Sequence, residues 1–153
     1  MGTQEPESPG AWQSIQQLIH LRRFAFTAFL PLMGAATAVQ RSNPAPVLVI
    51  VLMAFQFHIF TYVLNDVIDL PVDRLMPKRK YHPLVRGEIR RGTALALALV
   101  QIPLMLLTGW LARISLAACG ALLAAIICMS IYDVWGKRLA FPGKSASSRL
   151  GFS

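Results

Sequence analysis

The sequence predicts an all-α protein, a transmembrane helical bundle with about four membrane spans. Three observations lead there. Of 153 residues, 55% are hydrophobic and 14% charged, more apolar and far less charged than ordinary globular domains. Four long stretches carry no formal charge, each close to the roughly 20 residues that cross a bilayer. The charge is instead gathered between Asn65 and Arg91, which holds four of the seven acidic residues and seven of the fifteen basic ones. The net charge of +8 would suggest nucleic acid in a soluble protein. Here the basic residues flank apolar segments, a pattern of membrane topology, and nucleic acid is not an expected partner. Cys119 and Cys128 lie in one apolar segment at a spacing that matches no zinc or redox motif, and read as small buried hydrophobes.

Residues 1–21 form an N-terminal tail and a candidate interfacial helix. Met1–Gly10 is rich in Gly, Pro, Ser and Glu without an apolar run and is expected to be disordered. From Ala11, the residues Trp12, Ile15, Leu18, Ile19 and Leu21 recur at helical spacing, which suits a helix lying at the membrane surface. Residues 22–140 form the membrane domain, with spans near 24–40, 47–64, 94–112 and 114–132, and residues 141–153 a polar tail. Pro31 and Gly34 interrupt the first span as membrane helices tolerate. The second ends at Leu64 and delivers Asn65 to the surface. Within it, His58 is expected to be a packed, hydrogen-bonded core residue, because buried polar groups need partners. Lys and Arg divide thirteen against two, with only Arg41 and Arg113 on the sparse side. Both termini and the charged loop are therefore expected on the cytoplasmic side of an integral, multi-pass membrane protein.

The charged loop carries the chemistry. Asn65, Asp69 and Asp73 lie at i, i+4 and i+8 and so share a stripe at the end of the second helix, with Asp66 turned aside. Carboxylates this close repel one another unless a cation or basic partner offsets them. Hard oxygen ligands at a partly wet helix end suit Mg²⁺, which takes one or two carboxylates together with substrate phosphates. Lys78, Arg79, Lys80, His82 and Arg86 follow within reach and could complete a diphosphate site. A plainer reading, a solvated helix end before an ordinary positive-inside loop, accounts for each charge singly but not for the spacing, the Asn and the basic tail together. Pro71 inside the stripe removes a backbone donor and is expected to bend the helix before Asp73.

Asn65-Asp66-xx-Asp69-xxx-Asp73, followed by Pro83-Leu84-Val85-Arg86-Gly87-Glu88-Ile89, resembles the first signature of the UbiA superfamily of membrane-embedded prenyltransferases. His82 stands where that family usually has Arg, and Phe24 stands where it has Pro in an Arg-Pro pair whose Arg corresponds to Arg23. Tyr132 and Lys137 resemble, more loosely, a Tyr and Lys-Arg segment on the family's fourth helix. The resemblance implies Mg²⁺ held by Asn65, Asp69 and Asp73, with Asp66, Tyr132 and Lys137 nearest the chemistry. It assigns the diphosphate to Arg23, Lys78, Arg79, His82, Arg86 and Lys137. The implied reaction moves a prenyl group from a prenyl diphosphate to an aromatic or other small-molecule acceptor, among membrane lipid. The family fold has nine helices, and this chain resembles its first half. The expectation is thus a chain inactive alone, its missing half supplied by further sequence or a second chain. The alternative is a non-catalytic membrane protein that keeps a scaffold for binding a metal diphosphate.

Overall fold

The computed structural model describes residues 10–38 and 45–136, and these are helix, turn or loop with no strand. The tail expected over residues 1–9, the first interhelical loop at 39–44 and everything from Lys137 onward, including the polar tail 141–153, lie outside the described residues. The chain divides into two units, Met1–Ala112 and Arg113–Ser153.

In the first unit, α1 (Ala11–Leu18) leads through a short 3-10 turn at Leu21–Arg23 into α2 (Phe24–Ala38). The long α3 (Ala45–Asp73) follows, then a 3-10 turn at Pro77–Arg79, the single-turn α4 (Pro83–Arg86) and α5 (Arg91–Leu111). Two sets of residues at helical spacing explain the central packing. Ile59, Val63, Val67 and Leu70 form a buried row on α3, and Ala94, Ala98, Gln101, Met105 and Gly109 form one on α5. Ala94 and Ala98 are fully enclosed in the core with Leu84 of α4, and such small residues let helix backbones approach closely. Higher on the same seam the Gln56 amide donates to the Thr108 hydroxyl at 3.2 Å, so a polar group on each helix finds its partner on the other.

Proline does not end α3 where the sequence suggests a bend. The helix runs through Pro71 to Asp73, although the proline has no N–H to return to the Val67 carbonyl four residues back. There the chain closes with N–H donors from Arg74 to the Leu70 carbonyl, Leu75 to Val72 and Met76 to Asp73. Pro77 and Pro83 each open a following turn as its first helical residue, a position where the absent N–H has no partner to lose. Gly87 then reverses the chain at φ 77°, in the left-handed region that glycine enters without penalty.

The N-terminal segment packs against the helices that follow it. Leu18 is 1% exposed and belongs to the core of α3, α4 and α5, and the buried Ser14 hydroxyl donates to Glu88 Oε2 at 2.6 Å. Trp12 and Ile15 stay exposed on the opposite face.

The second unit is α6 (Leu116–Ile131), extended by one wider turn at Tyr132–Gly136. It starts at Leu116 because Ser115 caps it, the hydroxyl accepting from the Ala118 N–H at 3.3 Å. Among the described residues, three helical stretches are long and apolar enough to cross a membrane: Ala45–Asp73, Arg91–Leu111 and Leu116–Trp135. Apolar side chains such as Leu107, Trp110 and Leu111 remain outward on α5. This is an all-α membrane bundle. The described part of α2, at 15 residues, is apolar but shorter than a full span.

Candidate functional site

The acidic end of α3 is organised around Asp66, the least exposed of its acids at 2%. Seven residues, two turns, place Asp66 and Asp73 within about 20° of one another around the helix, whereas Asn65 and Asp73 diverge by roughly 80°. Asp66 and Asp73 accordingly share the buried face, while Asn65 and Asp69 are half-buried beside it. The stripe of Asn65, Asp69 and Asp73 thus drifts across the helix, and Asp66, turned aside from it, points into the protein.

Basic groups from two other segments meet these carboxylates. Arg79, in the turn after α3, reaches back with its guanidinium 3.9 Å from Asp66 Oδ1 and 3.5 Å from Asp73 Oδ2, bridging both acids. His82 Nε2 stands 3.2 Å from Asp66 Oδ2. The third group is one the sequence reading did not single out: His20 Nε2 hydrogen-bonds Asp66 Oδ2 at 2.8 Å. No local pattern pairs a histidine before the first span with an acid after the second, so only folding brings them together.

His20 is held in place by its own backbone. It adopts the left-handed conformation at φ 49°, uncommon outside glycine although His tolerates it better than most residues. This turns the chain between α1 and the 3-10 turn. His58, fully buried, secures that turn: its Nε2 donates to the carbonyls of Ile19 at 3.0 Å and His20 at 3.2 Å. Because a carbonyl only accepts, the proton sits on Nε2, and Nδ1 accepts from the Thr27 hydroxyl at 2.8 Å. The expected core histidine is thus a strut for the site. Tyr62 lies between the two, its ring 5.1 Å from that of His20 and 4.4 Å from that of His58.

Above Asp66 opens a basin of about 840 Å³, walled on one side by α1 and the Leu21–Arg23 turn and on the other by the loop after α3. Arg22, Arg23, Lys78 and Arg79 line it with His20 and His82, and no acidic residue is among the described residues that do. A lining of one sign of charge draws in anions. Arg23, Lys78, Arg79 and His82 of the expected diphosphate set therefore come together. Arg86 does not join them: its guanidinium pairs with Glu88 at 2.8 Å, beside the Ser14 contact. Lys80 leans over the Tyr81 ring at 4.8 Å. Tyr132 stands in the second unit, 57% exposed, and Lys137 lies outside the described residues.

Comparison with protein families matches residues 24–144 to the UbiA prenyltransferase family. The chain belongs to that family. The match takes in the acidic end of α3, the loop that faces it and all four helices α2, α3, α5 and α6, while His20 and α1 precede it. No curated protein and no solved structure matches the chain. As a UbiA family member with this helical architecture, the protein is a prenyltransferase-type membrane protein.

Proposed function

We propose that the basin over Asp66 receives the diphosphate of a prenyl diphosphate, and that the chain serves Mg²⁺-dependent transfer of the prenyl group to an aromatic or other small-molecule acceptor. The observation that carries this reading is that Arg22, Arg23, Lys78 and Arg79 line one basin while Arg79 pairs, behind its wall, with Asp66 and Asp73 at the end of α3. A dianionic group and a hard cation are the natural pair to lie between such walls.

The donor set fits Mg²⁺. Asn65, Asp69 and Asp73 offer an amide oxygen and carboxylates along the end of α3, and Asn65 and Asp69 are half-buried rather than sealed. When bound there, the ion neutralises charge on the diphosphate oxygens and so makes the diphosphate a better leaving group. The protein's own groups do the rest. Arg23 and Lys78 hold the diphosphate from opposite walls. Arg79, fixed by Asp66 and Asp73, presents its remaining N–H groups without having to order a flexible side chain at the moment of binding. His82, where the family usually carries Arg, brings no guanidinium fork to the diphosphate. Asp66 supports the arrangement by fixing Arg79 and the two histidines, and Tyr132 and Lys137 are the candidates on the fourth span. The prenyl chain would run along the apolar helices among membrane lipid, where water is excluded from the developing carbocation. The excess of Lys and Arg on one side supports an orientation with the basin facing the cytoplasm.

The residues that support this reading are binding residues, so binding is the appropriate readout. Calorimetric titration of the detergent-solubilised chain with a non-hydrolysable prenyl diphosphate should give saturable binding that requires Mg²⁺ and is lost in Asp69→Ala. Binding without turnover of a labelled prenyl diphosphate agrees with a chain that needs a complementary half, or with a scaffold that only binds. Indifference of binding to both Mg²⁺ and Asp69 would refute the reading.

A further inference from the structure

We propose that His20, Asp66 and His82 form a second metal site, specific for a borderline transition ion of the Zn²⁺ or Co²⁺ kind and distinct from the oxygen-ligand Mg²⁺ site. One ligand atom from each of the three lies within 4.8 Å of the others. Asp66 Oδ2 is 2.8 Å from His20 Nε2 and 3.2 Å from His82 Nε2. Two ligands about 2.1 Å from a tetrahedral ion stand roughly 3.4 Å apart, so an ion asks each histidine to draw back from Asp66 by about 0.6 Å or less and the two imidazoles, now within 4.8 Å, to settle at that same separation.

His82 supplies an independent observation. Its side chain is 9% exposed, and both ring nitrogens are buried without a hydrogen-bond partner. The 3.2 Å approach to Asp66 thus lacks the alignment of a hydrogen bond, and a buried imidazole seldom goes unsatisfied at both nitrogens. Ligation provides the missing partner. Arg79 does not compete for the position, since it faces Oδ1 of Asp66 and its charge is shared with Asp73, leaving Oδ2 on the histidine side. Two imidazoles and one carboxylate are a donor set that nitrogen-preferring ions fill and Mg²⁺ does not. His20 and His82 both line the basin, so a fourth position is open to water or to an anion entering there.

The consequence is mechanical as well as chemical. The three ligands come from the link between α1 and α2, from α3 and from the basic loop, and one ion would tie them together. His20 precedes the part of the chain that the family match covers, so the site uses a ligand from outside it. The inference goes beyond the prenyl diphosphate reading, and its test uses no diphosphate.

The full chain in detergent, stripped with a chelator, is titrated with Co²⁺ while its visible absorption is recorded. The expected result is one ion per chain, an intense band of tetrahedral type, retention in excess Mg²⁺ and a metal-dependent rise in Tm. His20→Gln and His82→Gln each weaken Co²⁺ on the order of a hundredfold and remove the Tm rise, while Asp69→Asn, aimed at the Mg²⁺ site, leaves Co²⁺ affinity unchanged. Should His82→Gln not fold, His82→Arg, which gives Asp66 a guanidinium in place of the imidazole, must show the same loss. Absence of the band, displacement by Mg²⁺, or equal affinity in the histidine variants overturns the proposal.

Discussion

His20 and Asp66, 46 positions apart, meet at 2.8 Å between Nε2 and Oδ2, and this contact joins the segment before the first span to the acidic end of the second. The His20 side chain is 12% exposed and that of Asp66 2%, so water can replace neither partner easily. Removing either should destabilise the chain by about 1.5–3 kcal/mol, the usual worth of a hydrogen bond to a charged group. The double variant His20→Ala, Asp66→Ala should cost less than the two single costs together, since each single change already forfeits the contact. Unfolding in detergent micelles checks this, and strict additivity would show that the two residues act independently.

Arg79 and Lys78 are neighbours with different duties. Arg79 is anchored to both Asp66 and Asp73 and two-thirds covered, whereas Lys78 is exposed. Arg79→Ala should weaken binding of a prenyl diphosphate analogue roughly tenfold and also lower stability by about 1 kcal/mol, as befits a partly screened ion pair. Lys78→Ala should weaken binding to a similar degree and leave the unfolding transition where it was. Calorimetry and thermal unfolding on the same preparations separate the two effects; a Tm loss in Lys78→Ala would mean that the lysine is structural.

His58 acts on the site from behind. Thr27→Val keeps the side-chain shape but leaves Nδ1 of this fully buried imidazole without its donor, which should cost about 1–3 kcal/mol. Diphosphate affinity in the folded fraction should stay within about twofold, because Thr27 and His58 do not line the basin. Faster hydrogen exchange at Ile19 to Arg23 would be the local signature, since the His58 bonds to the Ile19 and His20 carbonyls hold that turn. Unchanged exchange there would mean that the turn is held by other contacts.

Much of the architecture was legible along the chain because it rests on local rules. Runs of apolar residues set the helices. The acidic spacing from Asn65 to Asp73, with the Pro83-Leu84 loop after it, pointed to the family that the comparison with protein families then matched.

What the one-dimensional pattern determined, then, is an α-helical membrane protein whose acidic residues gather at the end of α3 with cations close by in sequence. Tertiary structure decided which cations face which acids. Periodicity relates residues three, four or seven apart, but His20 reaches Asp66 only because Leu18 sinks into the core, Ser14 bonds Glu88 and His58 holds the turn between them. The same docking leaves Arg23, Lys78 and Arg79 facing one basin and ties Arg86 to Glu88 outside it. Those partners are chosen by burial and charge satisfaction across segments, which no spacing within a segment encodes.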